Sequence, residues 1–274
     1  MTASPEYLLL LALALFVSSI GAGTLAGLFG VGGGVIIVPV LYQVFAAFGV
    51  DEALRMHLAV GTSLASIMPT SLRSVSAHNK KGAVDWDVLR HWAPATAIGV
   101  LMGGALAAWL SGDALSLVFG VLALAVALYL GLGREEWRLG NELPKGVGAH
   151  LAAGAIGLAS ALMGIGGGTF AVALMTLFAT PIHRAVATAS GLGFVIAVPG
   201  AIAFAIAGWN EPGLPPLSLG YVNLLGLALV ARGTTLAAPW GGALAHRASR
   251  IVLRRGFAAF LGLMGARMLW VALT

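Results

Sequence analysis

The chain has 274 residues, of which 59% are hydrophobic and 9% charged, with a mean hydropathy of +0.96. Its 15 Lys and Arg and 10 Asp and Glu cannot cover a soluble fold, where about a quarter of residues are charged. That excludes a soluble globular domain; the absence of Cys excludes disulfides and thiolate chemistry, and a net charge of +5 dispersed through loops reads as orientation in a bilayer rather than a nucleic-acid surface.

Apolar runs between polar breaks predict ten segments. The first covers 7–29; no Lys or Arg precedes it, unlike a secretory leader, so it is expected to remain in the mature protein. Segments at 33–49, 54–77, 88–110 and 114–132 follow. Beyond a polar linker at 133–147 come 148–163, 167–180, 184–208, 220–245 and 255–274. At roughly 20 residues per crossing these fill the chain. The 39 Gly and 11 Pro suit close-packed and interrupted membrane helices.

The two sets of five resemble each other. Gly30-Val31-Gly32-Gly33-Gly34 recurs as Gly164-Ile165-Gly166-Gly167-Gly168, and Ala59-Val60-Gly61-Thr62-Ser63 as Ala185-Val186-Ala187-Thr188-Ala189. Gly82-Ala83-Val84-Asp85 then matches Gly220-Tyr221-Val222-Asn223, and Gly103-Gly104-Ala105 matches Gly241-Gly242-Ala243. The expected organisation is a first membrane repeat at 1–132, a cytoplasmic linker at 133–147 and a second repeat at 148–274.

Basic residues favour the cytoplasmic ends of membrane helices. Lys80 and Lys81 place the loop after the third segment inside, whereas its counterpart, Gly208 to Gly213, has no Lys or Arg. The next connection reverses the contrast: Ser111-Gly112-Asp113 carries no base, while Arg247, Arg250, Arg254 and Arg255 crowd the equivalent stretch. Equivalent loops thus fall on opposite sides. The expected fold is an all-α polytopic membrane protein of two inverted-topology repeats, each a glycine-broken hairpin plus three transmembrane helices, with both termini outside.

The apex of each hairpin is the Gly-x-Gly-Gly-Gly run. Consecutive glycines break a helix and unmask backbone amides, and the helix restarting beyond them offers a positive dipole end to an anion. Irregular backbone inside a membrane needs surrounding protein or a watery cavity. The second-repeat arms are short for a full crossing, which favours hairpins dipping from opposite faces so that Gly32, Gly33 and Gly34 approach Gly166, Gly167, Gly168 and Thr169. Glycines that only let helices pack closely are the competing reading.

These residues resemble the sulfite exporter TauE/SafE family of membrane transporters over nearly the whole chain. The resemblance rests on the duplicated glycine run, Pro39-Val40-Leu41, Ala59-Val60-Gly61-Thr62-Ser63 with its echo around Thr188, and Lys81-Gly82-Ala83-Val84-Asp85-Trp86. It implies transport, usually export, of small sulfur-containing anions such as sulfite or organosulfonates (sulfoacetate or toluene sulfonate) across a bacterial inner membrane. The chain departs from the pattern at Ala173-Leu174-Met175, which replaces the Pro-x-Leu element, and at Ala189, which stands opposite Ser63.

Thr62, Ser63, Thr188 and Ser190 are candidate hydroxyl donors to the anion, against back-bonding to their own helices. Arg232, near the centre of 220–245, is a candidate cation for it, against a structural pairing. The carboxylates all sit in or beside loops, so no mid-membrane acid is available for a proton relay. His57 and His183 read as structural or interfacial, and the seven Trp as an interfacial belt.

The expected partners are a small anion and the bilayer, with a homodimer left open and neither nucleic acid nor cofactor. Neither Gly-x-Ser-x-Gly nor His-Glu-x-x-His occurs, which speaks against an intramembrane enzyme. The alternatives to a sulfur-anion carrier working by alternating access are an anion channel and a transporter of another small anion.

Overall fold

The computed structural model describes residues 5–29, 34–132, 138–245 and 250–273. They form ten helices: α1 (Pro5–Phe29), α2 (Gly34–Ala47), α3 (Glu52–Asn79), α4 (Trp86–Trp109), α5 (Gly112–Leu132), α6 (Gly146–Met163), α7 (Gly168–Leu177), α8 (Ile182–Ala207), α9 (Leu224–Ala245) and α10 (Arg250–Leu273). Six of these contain stretches long and apolar enough to cross a membrane, in α1, α4, α5, α6, α8 and α10. The protein is a multi-pass membrane protein, all-helical among the described residues apart from one short antiparallel pair, β1 (Ser218–Leu219) with β2 (Val222–Asn223).

That pair corrects the expected start of the ninth helix at 220. Gly220 has φ +55°, a left-handed geometry suited to glycine but foreign to a right-handed helix. The helix begins only after Asn223, whose side-chain carbonyl accepts from the Gly226 N–H at 2.7 Å. Asp85 performs the same task for α4, accepting from the Val88 N–H at 3.1 Å. Both use the N-cap chemistry of a short polar side chain.

α2 and α7 are short, with 14 and 10 residues, or about 21 and 15 Å at 1.5 Å per residue, against a hydrocarbon core about 30 Å thick. Each returns toward the end from which its hairpin began. The Tyr7 hydroxyl at the start of α1 donates to the Phe48 carbonyl just past α2, and the Leu139 N–H ahead of α6 donates to the Leu177 carbonyl at the end of α7. The arms are unequal, however: α6 is an 18-residue candidate span rather than a half-length arm, and only the returning helix is short. Val35, Ile36, Val38, Leu41, Tyr42 and Phe45 of α2 are buried, as befits a helix apolar on all sides and enclosed by others.

Glycines set the tightest seams. A methyl group at Gly99 of α4 would collide with the Gly154 carbonyl of α6, and one at Gly157 of α6 with the Thr96 carbonyl of α4. α1 packs on α9 in the same way, Gly23 against Thr234 and Gly233 against Ser19. Small residues let membrane backbones approach where no hydrophobic effect drives helices together. α3 and α8 run antiparallel through the middle, with Gly61 near Phe204 and Gly193 near Ser71, and α5 packs against α10. Trp92 is 2% exposed and belongs to the core, whereas Trp109, Trp209, Trp240 and Trp270 are exposed, as a belt requires. Trp137 lies outside the described residues.

Candidate functional site

The second glycine run folds as two left-handed turns. Gly164 (φ +66°) ends α6 and Gly167 (φ +70°) precedes α7, conformations that an L side chain adopts only with strain. Gly166 packs against Ile67 of α3 and Gly193 of α8. Since Gly193 lies at the middle of the 26-residue α8, this break sits deep in the bundle. A side chain at Gly167 would strike Ile196.

Of the first run, Gly34 is described; Gly32 and Gly33 lie outside the described residues. Gly34 starts α2 directly against the other break. A methyl group there would stand 2.9 Å from the Gly164 carbonyl oxygen and 3.0 Å from the Ile165 Cα. The Ser63 hydroxyl donates to that same Gly164 carbonyl at 2.8 Å. Gly34, Ser63, Gly166, Gly167, Gly168 and Thr169 are therefore gathered around one point, where the N-termini of both short helices begin.

The structure gives each of Thr62 and Thr188 a backbone partner. The Asn223 backbone N–H donates to the Thr62 hydroxyl oxygen (2.9 Å), and the Asp85 backbone N–H donates to that of Thr188 (2.9 Å). Both threonines are fully buried, and each holds the first residue before a helix contributed by the other half of the chain. Ser190 donates to the Ala187 carbonyl of its own helix at 2.6 Å, the back-bonding typical of membrane serines.

Arg232 is not brought to the breaks. It is exposed on the side of α9 opposite the buried Val230, Gly233 and Ala237, with no hydrogen-bond or ion-pair partner among the described residues. Among those residues no Lys, Arg, Asp or Glu is buried. His57 is buried, its Nε2 3.0 Å from the Ala107 carbonyl and its ring 4.8 Å from that of Tyr221, which ties α3 to α4. His183 is exposed.

Two hydroxyls at the second break have no hydrogen-bond partner: Ser160 of α6 and Thr169 of α7, 0% and 8% exposed. Ser160 gives no signal as a sequence position. A serine inside an apolar helix looks like any packing residue, and only the left-handed turn at Gly164 folds α7 back beside it.

Near the end of α7, a hollow of about 650 Å³ opens between the start of α4, the linker and the start of α8, lined by Asp85, His91, Lys145, Phe178 and Arg184. Arg184 pairs with Asp85 across it at 2.9 Å. Asn223, at the place matching Asp85 in the other half, has neutral partners instead, donating through its side chain to the Pro216 carbonyl and the Ser218 hydroxyl.

A many-spanning helical bundle with a glycine break deep inside it, met there by the start of a second short helix, is the build of a membrane transporter. The chain belongs to the sulfite exporter TauE/SafE family, whose profile matches residues 15–268. It is 30% identical to a probable membrane transporter protein of Haemophilus influenzae, over 90% of this chain and 94% of that one. It is 28% identical to one of Methanocaldococcus jannaschii, over 96% and 97%. Against the probable membrane transporter protein YunE of Bacillus subtilis the figures are 29% over 68% and 76%. All three relatives are named as probable transporters rather than as enzymes. No solved structure matches the chain.

Proposed function

We propose that the protein is a secondary transporter, working as an exporter, for small sulfur-containing anions such as sulfite or organosulfonates. It sits in a bacterial inner membrane and holds the anion near the midplane between the two glycine breaks. The carrying observation is the meeting of Gly34 with Gly164 and Ile165, which brings the starts of α2 and α7 to one place. Helix N-termini present unpaired amides and a positive dipole end, an anion site that needs no charged side chain.

The inverted repeat supplies the motion. When α1–α5 is exchanged for α6–α10, the packing of α1 on α9 becomes that of α6 on α4 and α2 on α3 becomes α7 on α8, while the α3–α8 and α5–α10 pairs map onto themselves. The Thr62–Asn223 contact maps likewise onto Thr188–Asp85. Two such halves rocking about a central site expose it alternately to either face. The Lys80–Lys81 face is then cytoplasmic and both termini lie outside.

The test is flux in proteoliposomes loaded with labelled sulfite or methanesulfonate. Saturable, protein-dependent flux supports the reading. Flux that never saturates and shows no counterflow identifies a channel instead, and flux of other anions alone removes the sulfur substrate.

A further inference from the structure

Ser160 and Thr169 differ from the other buried hydroxyls of the α3–α8 core. Ser63, Ser66 and Ser71 donate to carbonyls, and Thr62 and Thr188 accept from backbone N–H groups, whereas Ser160 and Thr169 do neither. Native proteins rarely leave buried hydroxyls unpaired. Both lie at the start of α7: Thr169 is its second residue, and a methyl group at Gly167, its N-cap, would stand 3.7 Å from the Ser160 hydroxyl oxygen. The unpaired first-turn amides of α7 point the same way. Thr96 of α4, a further unpaired hydroxyl, belongs to the seam with Gly157 of α6.

The repeat does not account for the pair at the break. Aligning the glycine runs places Ala26 opposite Ser160 and Val35 opposite Thr169, so neither hydroxyl has a counterpart in the first half. No Lys or Arg among the described residues is buried as a whole; the Nε of Arg254, buried and unpaired, belongs to α10, which packs on α5. The positive potential comes from two helix N-termini, each equivalent to roughly half an elementary charge.

We propose, resting on the function argued above, that Ser160, Thr169 and the first-turn amides of α7 form the principal oxyanion pocket, a neutral-donor site fitted to a singly charged head group. The two hydroxyls rotate to donate their protons to separate oxygens of one sulfonate or hydrogensulfite group. Two half-charges balance one negative charge. A dianion would bring a second, uncompensated charge into a site of low dielectric, where it is strongly disfavoured. The pocket therefore selects monoanions over dianions, and the second repeat carries more of the contact than the first.

The experiment is a binding titration of the purified full-length protein in detergent with sodium methanesulfonate and, separately, sodium sulfate at matched ionic strength. Methanesulfonate is expected to bind at least about tenfold more tightly than sulfate. Ser160→Ala and Thr169→Val are each expected to weaken methanesulfonate about tenfold or more, the loss of one hydrogen bond to a charged group. Thr169→Ser, which keeps the hydroxyl, is expected to bind nearly as the wild type does. Wild-type affinity in both deletion variants, or tighter binding of sulfate, overturns the pocket while leaving the transport function standing. A wild type that binds no sulfur anion and carries none in proteoliposomes overturns both. The methanesulfonate–sulfate comparison needs no variant, so it decides the charge preference even if a substitution prevents folding.

Discussion

Thr62 and Thr188 are buried in the middle of the bundle, yet the group each meets is a backbone N–H at a helix start contributed by the other half of the chain. Replacing either with Val keeps the shape and strands a donor, Asn223 N–H in one case and Asp85 N–H in the other. A buried donor left unsatisfied costs about 1–3 kcal/mol. Thr62→Val and Thr188→Val are accordingly expected to lower the melting temperature of the detergent-solubilised protein while leaving the ranking among anions unchanged. A changed ranking with an unchanged melt would mean that these hydroxyls touch substrate. The sequence marks both residues as special through their place in the repeated block, but not their partner, since a hydroxyl can accept from an amide N–H as well as donate to an anion. Arg232 is the opposite case. Its depth along the chain is legible, whereas the side of α9 it faces depends on which stripe packs against α1.

Among the helices, all ten predicted segments are present, because membrane thickness and glycine-proline punctuation leave little freedom in where a helix starts and stops. The exceptions are local: residues 218–223 form a strand pair around the left-handed Gly220, and α6 begins at Gly146 rather than at 148. The seams need a structure to rank, since 39 glycines look alike in sequence. Gly99 abuts the Gly154 carbonyl, while nothing approaches within 4 Å of a methyl placed at Gly21. Gly99→Val is therefore expected to destabilise by about 1–3 kcal/mol through overpacking, and Gly21→Ala to be neutral or stabilising by up to about 1 kcal/mol. Thermal melts of the two variants side by side check this. Equal behaviour would show that the α4–α6 seam is looser than described.

For the whole molecule, the distribution of Lys and Arg proposes which face is which. The absence of Cys makes the chain ready for single-site labelling. Lys81→Cys is expected to react with a membrane-impermeant maleimide only after cells are opened, and Asn210→Cys to react in intact cells. Labelling of both from the same side would remove the inverted repeat. The two helix starts also differ chemically, since Asp85 pairs with Arg184 where Asn223 has neutral partners, so they are not interchangeable.

The central claim, an anion carried between two opposed helix breaks, is tested most directly by counterflow. Proteoliposomes are loaded with unlabelled methanesulfonate and external labelled methanesulfonate is followed. The account predicts transient, saturable accumulation of label that is stimulated by the internal anion and lost in Gly167→Ala, whose added methyl would strike Ile196 and strain a left-handed turn. Uptake indifferent to internal anion, or undiminished in a well-folded Gly167→Ala protein, would contradict it.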